Sequence, residues 1–507
     1  MSLLIGLDIG STSIKALVYD SEQGQAAGLA ALPTPTEHPI PEWSQHDPEA
    51  LWQTAAAVLR RAAAGRQIAG LAISSLAEAG LPLDAAGRPL YPIIAWYDRR
   101  SEPQAAWWEA HIPAGELHAI SGQRVSTSYG INKWMWIRQQ HPELAGRMHR
   151  WLSLSDYVLW RLTGAYATDY TIASRTLLLD QSRLDWSDRL LEMAGMPRQA
   201  LPPVYPGGTL VGQVTAQAAA ETGLPQGTPC ALGGHDHLCG TLAAGVVQPG
   251  QVVDSSGTSQ SLVMILKEFR TGPALAGQAY ACYAYLVPGR YILKGGQKSA
   301  GGTIQWLARQ LSGGAGEAAL PYAELEAEAA AGVGKKAGPL WLPHFIGSGA
   351  PDDDRFSRAA LVGAQIEHER GDVFRGMLEG IACFTRRSLE QMQAQAGQPL
   401  QQVVLLGGTT RFELLVQLKA DVLGMPVLLP SIPEASACGA ALLAGLGAGV
   451  FATPAEAVAS LRYPCRTIQP DPARSAWYAE LYARAYQPLY AALRDVNHAL
   501  AHMDGER

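Results

Sequence analysis

The chain has 507 residues, with 39 Lys+Arg against 45 Asp+Glu and a formal net charge of −6. At roughly 150 residues per domain that is about three units, or two large ones, with ample length to bury a core without disulfide or metal staples. The mild acidity argues against a protein that coats nucleic acid or an anionic membrane, and 48% hydrophobic residues exclude a disordered chain.

No apolar run reaches the ~20 residues of a membrane span. The start, Met1 to Gly6, lacks the basic flank and apolar stretch of a signal peptide. The six cysteines (Cys230, Cys239, Cys282, Cys383, Cys438, Cys465) form no C-x-x-C pair and read as reduced thiols. A cytoplasmic protein is the expectation.

In chain order, Leu3 to Tyr19 reads as strand, tight turn at Gly10, and strand, with a third strand at Ala26–Pro33. A helix is predicted over Pro48–Ala64 and a buried strand over Ile68–Ser74. Helical pieces follow at Pro142–Arg147, Ser155–Leu162 and Asp188–Ala194. The alternation predicts an α/β architecture. A second strand-turn-strand, Gln251 to Met264 around Ser255-Ser256-Gly257-Thr258-Ser259, echoes the first about half the chain later. It suggests a duplicated domain plan, with Pro249-Gly250 as the boundary. Helices are then predicted at Gly301–Leu311, Asp372–Ala396, Phe412–Leu423 and Cys438–Leu446, and strands at Gln402–Leu406 and Pro426–Leu429. Tyr478, Tyr482, Tyr486 and Tyr490 recur every four residues, the stripe of a packed C-terminal helix.

Three loops carry chemistry. In Asp8-Ile9-Gly10-Ser11-Thr12-Ser13-Ile14-Lys15, glycine permits a close turn, amides and hydroxyls can donate to phosphate oxygens, and Lys15 adds a point charge. Asp8 suits Mg²⁺, which takes carboxylate and water oxygens. The plain alternative is a polar hairpin. The loop around Gly257, Thr258 and Ser259 offers the same donors, so the pair suggests two cradles for one nucleotide. In Gly233-Gly234-His235-Asp236-His237, Asp236 reads as a general base for a hydroxyl proton; a metal cluster and a solvated loop are the alternatives. No G-x-x-x-x-G-K-[ST] motif occurs, and Gly445-Leu446-Gly447-Ala448-Gly449 follows a helix, not a strand, so it is a poor dinucleotide fingerprint.

The ordered set of motifs resembles the FGGY carbohydrate kinases of the actin-like ATPase superfamily, from residue 3 to about residue 450. Asp8–Lys15 resembles the first phosphate motif and Ser256-Gly257-Thr258-Ser259 the second. Lys133-Trp134-Met135-Trp136-Ile137 resembles the first family signature and Gly376-Met377-Leu378-Glu379-Gly380-Ile381 the start of the second. Ala173-Ser174-Arg175-Thr176 resembles an N-domain stretch. Leu406-Gly407-Gly408 with Ala420-Asp421-Val422-Leu423-Gly424 resembles the adenosine motif, although Thr409 and Phe412 replace its usual third glycine and serine.

The resemblance implies two actin-like, ribonuclease H-like α/β domains, 1–248 and 249–507. Their mixed β-sheets are flanked by helices, and the active site lies in the interdomain cleft. It implies Asp236 as catalytic base, and ATP held at Gly10, Ser11, Thr12, Lys15, Gly257, Thr258, Ser259, Gly302, Gln305, Gly407 and Gly408. Mg²⁺ would lie at Asp8 and Asp236. Sugar contacts are expected at Glu78, Asp98, Arg100 and Asp236, with a structural ion pair as the other reading of Asp98 and Arg100. Ala77-Glu78 gives half of the Arg-Glu pair of glycerol kinases and none of the Met-His pair of xylulokinases, while Trp96-Tyr97-Asp98-Arg99-Arg100 is closer to ketose kinases. Ser348-Gly349 replaces the Glu-Arg common in several subfamilies. The expected activity is phosphoryl transfer from ATP to a small ketose or polyol, a pentulose such as D-xylulose first, with L-fuculose-like sugars and glycerol-like polyols next. A silent sugar sensor on the same fold is the alternative. The expected partners are the sugar and ATP/ADP, with no nucleic acid and no membrane; a homodimer is left open.

Overall fold

A computed structural model describes residues 2–313, 321–334 and 338–505. Two large sheets organise them, and they repeat one plan. In the first, β1 (Leu3–Ile9) lies between β2 (Ser13–Asp20) and β4 (Ile68–Ser75), and the order β3 (Gln25–Pro33), β2, β1, β4, β5 (Pro229–His235) continues to an edge strand at Leu210–Gln213. β1, β2 and β3 pair antiparallel, whereas β1, β4 and β5 run parallel. In the second, β6 (Gln251–Ser256), β7 (Gln260–Leu266) and β8 (Tyr291–Gly295) pair antiparallel, and β6, β9 (Gln402–Leu406) and β10 (Val427–Pro430) run parallel. The order β8, β7, β6, β9, β10 is the first plan again, with edge strands added at Ala281–Ala284 and Cys465–Ile468. The duplication read from the two polar turns is thus a duplication of topology.

β1 is almost wholly buried because helices cover both faces, which is why it reads as a continuous apolar run rather than an alternating one. Helix α1 (Pro48–Ala63) covers one face; Asp47 caps it, accepting from the Ala50 amide. The other face receives α6 (Ala435–Gly447), from the far end of the chain. The approach is backbone to backbone. A Cβ on Gly6 would stand 1.8 Å from the Ala437 carbonyl oxygen, and one on Gly70 2.9 Å from that of Ala444. On its other side α6 meets α2 (Asp236–Ala243), where a Cβ on Gly439 would stand 1.9 Å from the Cys239 carbonyl oxygen. One apolar core therefore runs from Leu4 and Leu17 through Leu238 and Leu442 to Val253 and Val404, joining the two halves.

Element boundaries differ from expectation mostly by a residue or two. The largest shift is α6, which begins three residues before the predicted Cys438. The tyrosine stripe is buried core, as expected, but not on one uninterrupted α-helix. Helix Pro472–Leu481 passes through a π turn at Tyr482–Tyr486 into Gln487–Met503. A repeat of four drifts about 40° per step on a 3.6-residue helix, and the wider turn draws it back. Tyr478, Tyr482 and Tyr486 are buried, with the first two donating to Glu379 and Glu390 of α4 (Arg370–Ala396). Five cysteines are buried, Cys465 is exposed, and all are free. No helix among the described residues is long and apolar enough to cross a membrane.

Candidate active site

In parallel α/β sheets, ligands gather beyond the carboxyl ends of the strands. Here two such edges face each other. β1 delivers Asp8, β4 delivers Ser74, and β5 delivers His235, followed by Asp236 at the start of α2. From the second sheet, β6 leads to the Ser255–Ser259 turn, β9 to Gly407-Gly408, and β10 to Ser431–Glu434 and then α6.

The two sets line a cavity of about 1150 Å³, with Asp8, Lys15, Asp236, Ser255, Gly407, Gly408 and Glu434 in its wall. A second cavity of about 400 Å³ opens on the other side of Asp236; Ser11, Glu78, Trp96, Arg175 and Lys294 line it. Asp236 and His237 belong to both walls. One carboxylate thus stands at the junction of the two spaces.

Local structure explains the placement of that carboxylate. A Cβ on Gly233 would stand 1.9 Å from the Ile73 carbonyl oxygen, so the glycine lets β5 press against β4. Asp236 occupies the first position of α2, where a carboxylate complements free amides. Its Oδ1 accepts from the His237 amide at 2.6 Å and lies 3.2 Å from His235 Nε2. Burial pulls the His235 imidazole well below its ordinary range and lowers that of His237, so both are neutral neighbours. One ligand atom from each of His235, Asp236 and His237 falls within 4.8 Å of the others. Ser436 Oγ donates to the Asp236 carbonyl at 3.0 Å, tying α2 to the start of α6.

Asp8 accepts from Ser74 Oγ at 2.9 Å. Burial, then the nearby Asp236 charge, lifts Asp8 to about 7. Two carboxylates lining one cavity form a donor set suited to a hard divalent cation. Lys15 Nζ donates to Glu434 Oε2 at 2.6 Å, from one half of the molecule to the other. Glu434 itself holds φ of 48°.

The second loop is braced from below. Lys419 Nζ, buried on α5 (Glu413–Leu423), donates to Asp254 Oδ2 at 2.5 Å and to Ser256 Oγ at 3.2 Å. The amides of Gly301 and Gly302, opening α3 (Gly301–Leu311), donate to the carbonyls of Gly257 and Thr258. Gly302 thus shapes the loop, and neither it nor Gln305 lines the two cavities. Gly407 (φ 91°) has Ser256 against it, where a Cβ would meet a carbonyl oxygen at 2.4 Å, whereas Gly408 faces open space. Ser11 faces the smaller cavity and accepts from Trp96 Nε1 at 3.0 Å. Gly10, Thr12, Gly257, Thr258 and Ser259 lie in the turns beside the cleft without lining either cavity. Thr409 donates to the Ser256 carbonyl and Phe412 is buried in the core.

Of the expected sugar contacts, Glu78 lines the smaller cavity, where Arg175 Nε donates to it at 2.6 Å. Asp98 and Arg100 do not. Both side chains are 0% exposed. They pair with each other at 2.8 and 2.9 Å, Asp98 also accepts from the Ser44 amide, and Arg100 lies over Trp43. The structure places these two residues in a buried ion pair, outside the walls of both cavities. Arg175 and Lys294 line the smaller cavity as well, and the sequence reading did not place them there. Lys294 ends an apolar strand, Tyr291-Ile292-Leu293-Lys294-Gly295, and a charge in that position was the available signal.

With this geometry in view, comparison with known proteins decides the family. The sequence model described as FGGY family of carbohydrate kinases, N-terminal domain, matches residues 3–243, and that of the C-terminal domain matches 252–448. The chain belongs to the FGGY family of carbohydrate kinases. It is 30% identical over 499 residues to an L-xylulose/3-keto-L-gulonate kinase of Escherichia coli (strain K12), covering 97% of each chain. It is 31% identical to a glycerol kinase of Gloeobacter violaceus (strain ATCC 29082 / PCC 7421), covering 90% of each. Among solved FGGY-like structures, xylulose kinase from Rhodospirillum rubrum superposes with a TM-score of 0.89 at 31% identity, over 98% of this chain and 100% of that one. Glycerol kinase from Plasmodium falciparum, solved with ADP, shares the fold at a TM-score of 0.84 and 20% identity, over 96% and 98%.

Proposed function

We propose that this FGGY-family chain is an ATP-dependent kinase of a small ketose or polyol, with a pentulose such as D-xylulose as first candidate acceptor. One observation carries the reading: Asp236 stands in the wall shared by the large cavity and the small one. In this reading ATP lies in the large cavity and the acceptor in the small one, with the division between domains at 248/249.

The acceptor hydroxyl gives its proton to an Asp236 carboxylate oxygen as its oxygen forms a bond to the γ-phosphorus. The bond from that phosphorus to the β-phosphate oxygen breaks, and ADP leaves. His235 and the His237 amide hold the Asp236 carboxylate in place. The Ser255–Ser259 turn, braced by Lys419, and the Gly10–Ser13 turn offer donors to the phosphates. Asp8 and Asp236 would hold Mg²⁺, which supplies charge neutralisation at the phosphates when bound. Glu78, fixed by Arg175, accepts hydroxyls of the sugar.

The relatives named xylulose and L-xylulose/3-keto-L-gulonate kinases favour a ketose; those named glycerol kinases keep a polyol in view. ADP release measured across D-xylulose, L-xylulose, L-fuculose, D-ribulose and glycerol tests the reading. Acceptor-dependent ADP formation is expected with at least one ketose or polyol, and none with any of them would sink it.

A further inference from the structure

Asp236 follows the last residue of β5, and the main chain there is held from outside the sheet. The His235 amide donates to Thr171 Oγ1 at 2.8 Å. Thr171 Oγ1 in turn donates to Asp169 Oδ1 at 2.5 Å. All three residues are buried. The direction of each bond is fixed. An amide nitrogen only donates, and a carboxylate only accepts. Burial lifts Asp169 to about 6, so it is a carboxylate at neutral pH. The hydroxyl between them therefore donates to Asp169 and accepts from His235.

Asp169 caps the short helix Tyr170–Ser174, accepting from the Thr171 and Ile172 amides at 2.7 and 3.3 Å. Capping uses those two amides and needs no hydroxyl at position 171. The hydroxyl reaches instead to the peptide that leads into Asp236. Packing leaves that peptide little room: a Cβ on Gly234 would stand 2.9 Å from Thr171 Oγ1 and 3.3 Å from Asp169 Oδ1. On the far side, Ser436 Oγ holds the Asp236 carbonyl. The same short helix ends at Arg175, which donates to Glu78 in the wall of the smaller cavity. One five-residue piece thus touches both the strand end that carries Asp236 and the carboxylate on the acceptor side.

We infer that Thr171 is a positioning residue for phosphoryl transfer: its hydroxyl, aimed by Asp169, holds the His235 amide and so sets Asp236 relative to the acceptor seat at Glu78 and Arg175. The inference rests on the kinase reading above and adds a residue that lines neither cavity. It bears on rate rather than on binding. Proton transfer from the acceptor needs Asp236 within hydrogen-bond reach, and a misplacement of about 1 Å costs up to ~100-fold. Without the hydroxyl the buried His235 amide is left unpaired, and the strand end shifts to relieve it.

The test uses the full-length protein with ATP, Mg²⁺ and whichever of D-xylulose, L-xylulose, L-fuculose, D-ribulose and glycerol the wild type turns over fastest. Thr171→Val keeps the branched shape and removes the hydroxyl. Its kcat should fall roughly 10- to 100-fold, with KM for ATP within about threefold of wild type. Thr171→Ser keeps the hydroxyl and should recover most of the lost rate. A Thr171→Val enzyme that melts lower but keeps its kcat overturns the inference and leaves the threonine a packing residue. So does a KM for ATP that rises as far as kcat falls, or a Thr171→Ser enzyme as slow as Thr171→Val. If Thr171→Val does not fold, Thr171→Ala against Thr171→Ser decides the matter, because those two differ by the hydroxyl alone. Each of these results leaves wild-type turnover, and with it the kinase reading, intact. No turnover by the wild type with any acceptor removes both.

Discussion

Lys419 and Asp254, 165 residues apart in sequence, form a buried ion pair directly beneath the second polar turn. The lysine also reaches Ser256 Oγ, and Gln260 Nε2 reaches the same Asp254 carboxylate at 3.0 Å. Removing one partner strands the other charge away from water. Lys419→Met should therefore lower the unfolding free energy by roughly 3–5 kcal/mol and, under conditions where it folds, raise KM for ATP more than it lowers kcat. Urea titration and steady-state kinetics with ATP varied check both. An unaltered KM for ATP would show that the brace is structural only.

Asp236→Asn keeps shape and hydrogen bonding but removes the proton acceptor. Phosphoryl transfer should fall roughly 10²- to 10⁴-fold in kcat, while sugar and ATP binding by calorimetry stay within a few-fold. A fall of less than tenfold would move the base elsewhere.

Two glycines, one between packed helices and one in the cavity wall, should behave oppositely. Gly439→Ala forces a methyl to 1.9 Å from the Cys239 carbonyl oxygen, so α6 and α2 must separate. Overpacking of this kind costs about 1–3 kcal/mol or more, and a lowered melting temperature is expected. A Cβ at Gly408 meets nothing within 4 Å but projects into the large cavity. Gly408→Ala should leave the melting temperature of the free protein within about one degree and raise KM for ATP.

His344 is buried, bonded through Nδ1 to Ser357 Oγ at 2.8 Å, and burial pulls its imidazole down to about 3. Between pH 6.5 and 3 the unfolded chain binds a proton there that the folded chain refuses. Stability is therefore retained above pH 6.5 and lost as pH falls below it. From pH 7 to pH 5 this one group removes about 2 kcal/mol. His46, His118, His235 and His237 are also pulled down by burial and add slopes of the same sign. The difference between wild type and His344→Asn isolates the single group: urea midpoints at pH 7 and pH 5 should separate less in the variant. Equal separations would show that His344 is protonated in the folded state.

The pattern of the chain by itself determined a great deal. Apolar runs ending in Asp8 and in Ser255-Ser256, each followed by a glycine turn, named the central strands and their duplication, because strand period and turn chemistry are local properties. The motifs also led to Asp236, through the Gly-Gly approach to an aspartate between two histidines and its place in the ordered set of family motifs. Tertiary structure decided what each charge faces. Lys15 meets Glu434 and Arg175 meets Glu78, while Asp98 and Arg100 turn away from the cleft into each other. Nothing local distinguishes these fates, because a charge is answered by whatever the fold brings near it. Lys294 is the plainest instance: it is one lysine near the end of one strand, and only the fold brings it into one wall with Glu78, Arg175 and Asp236.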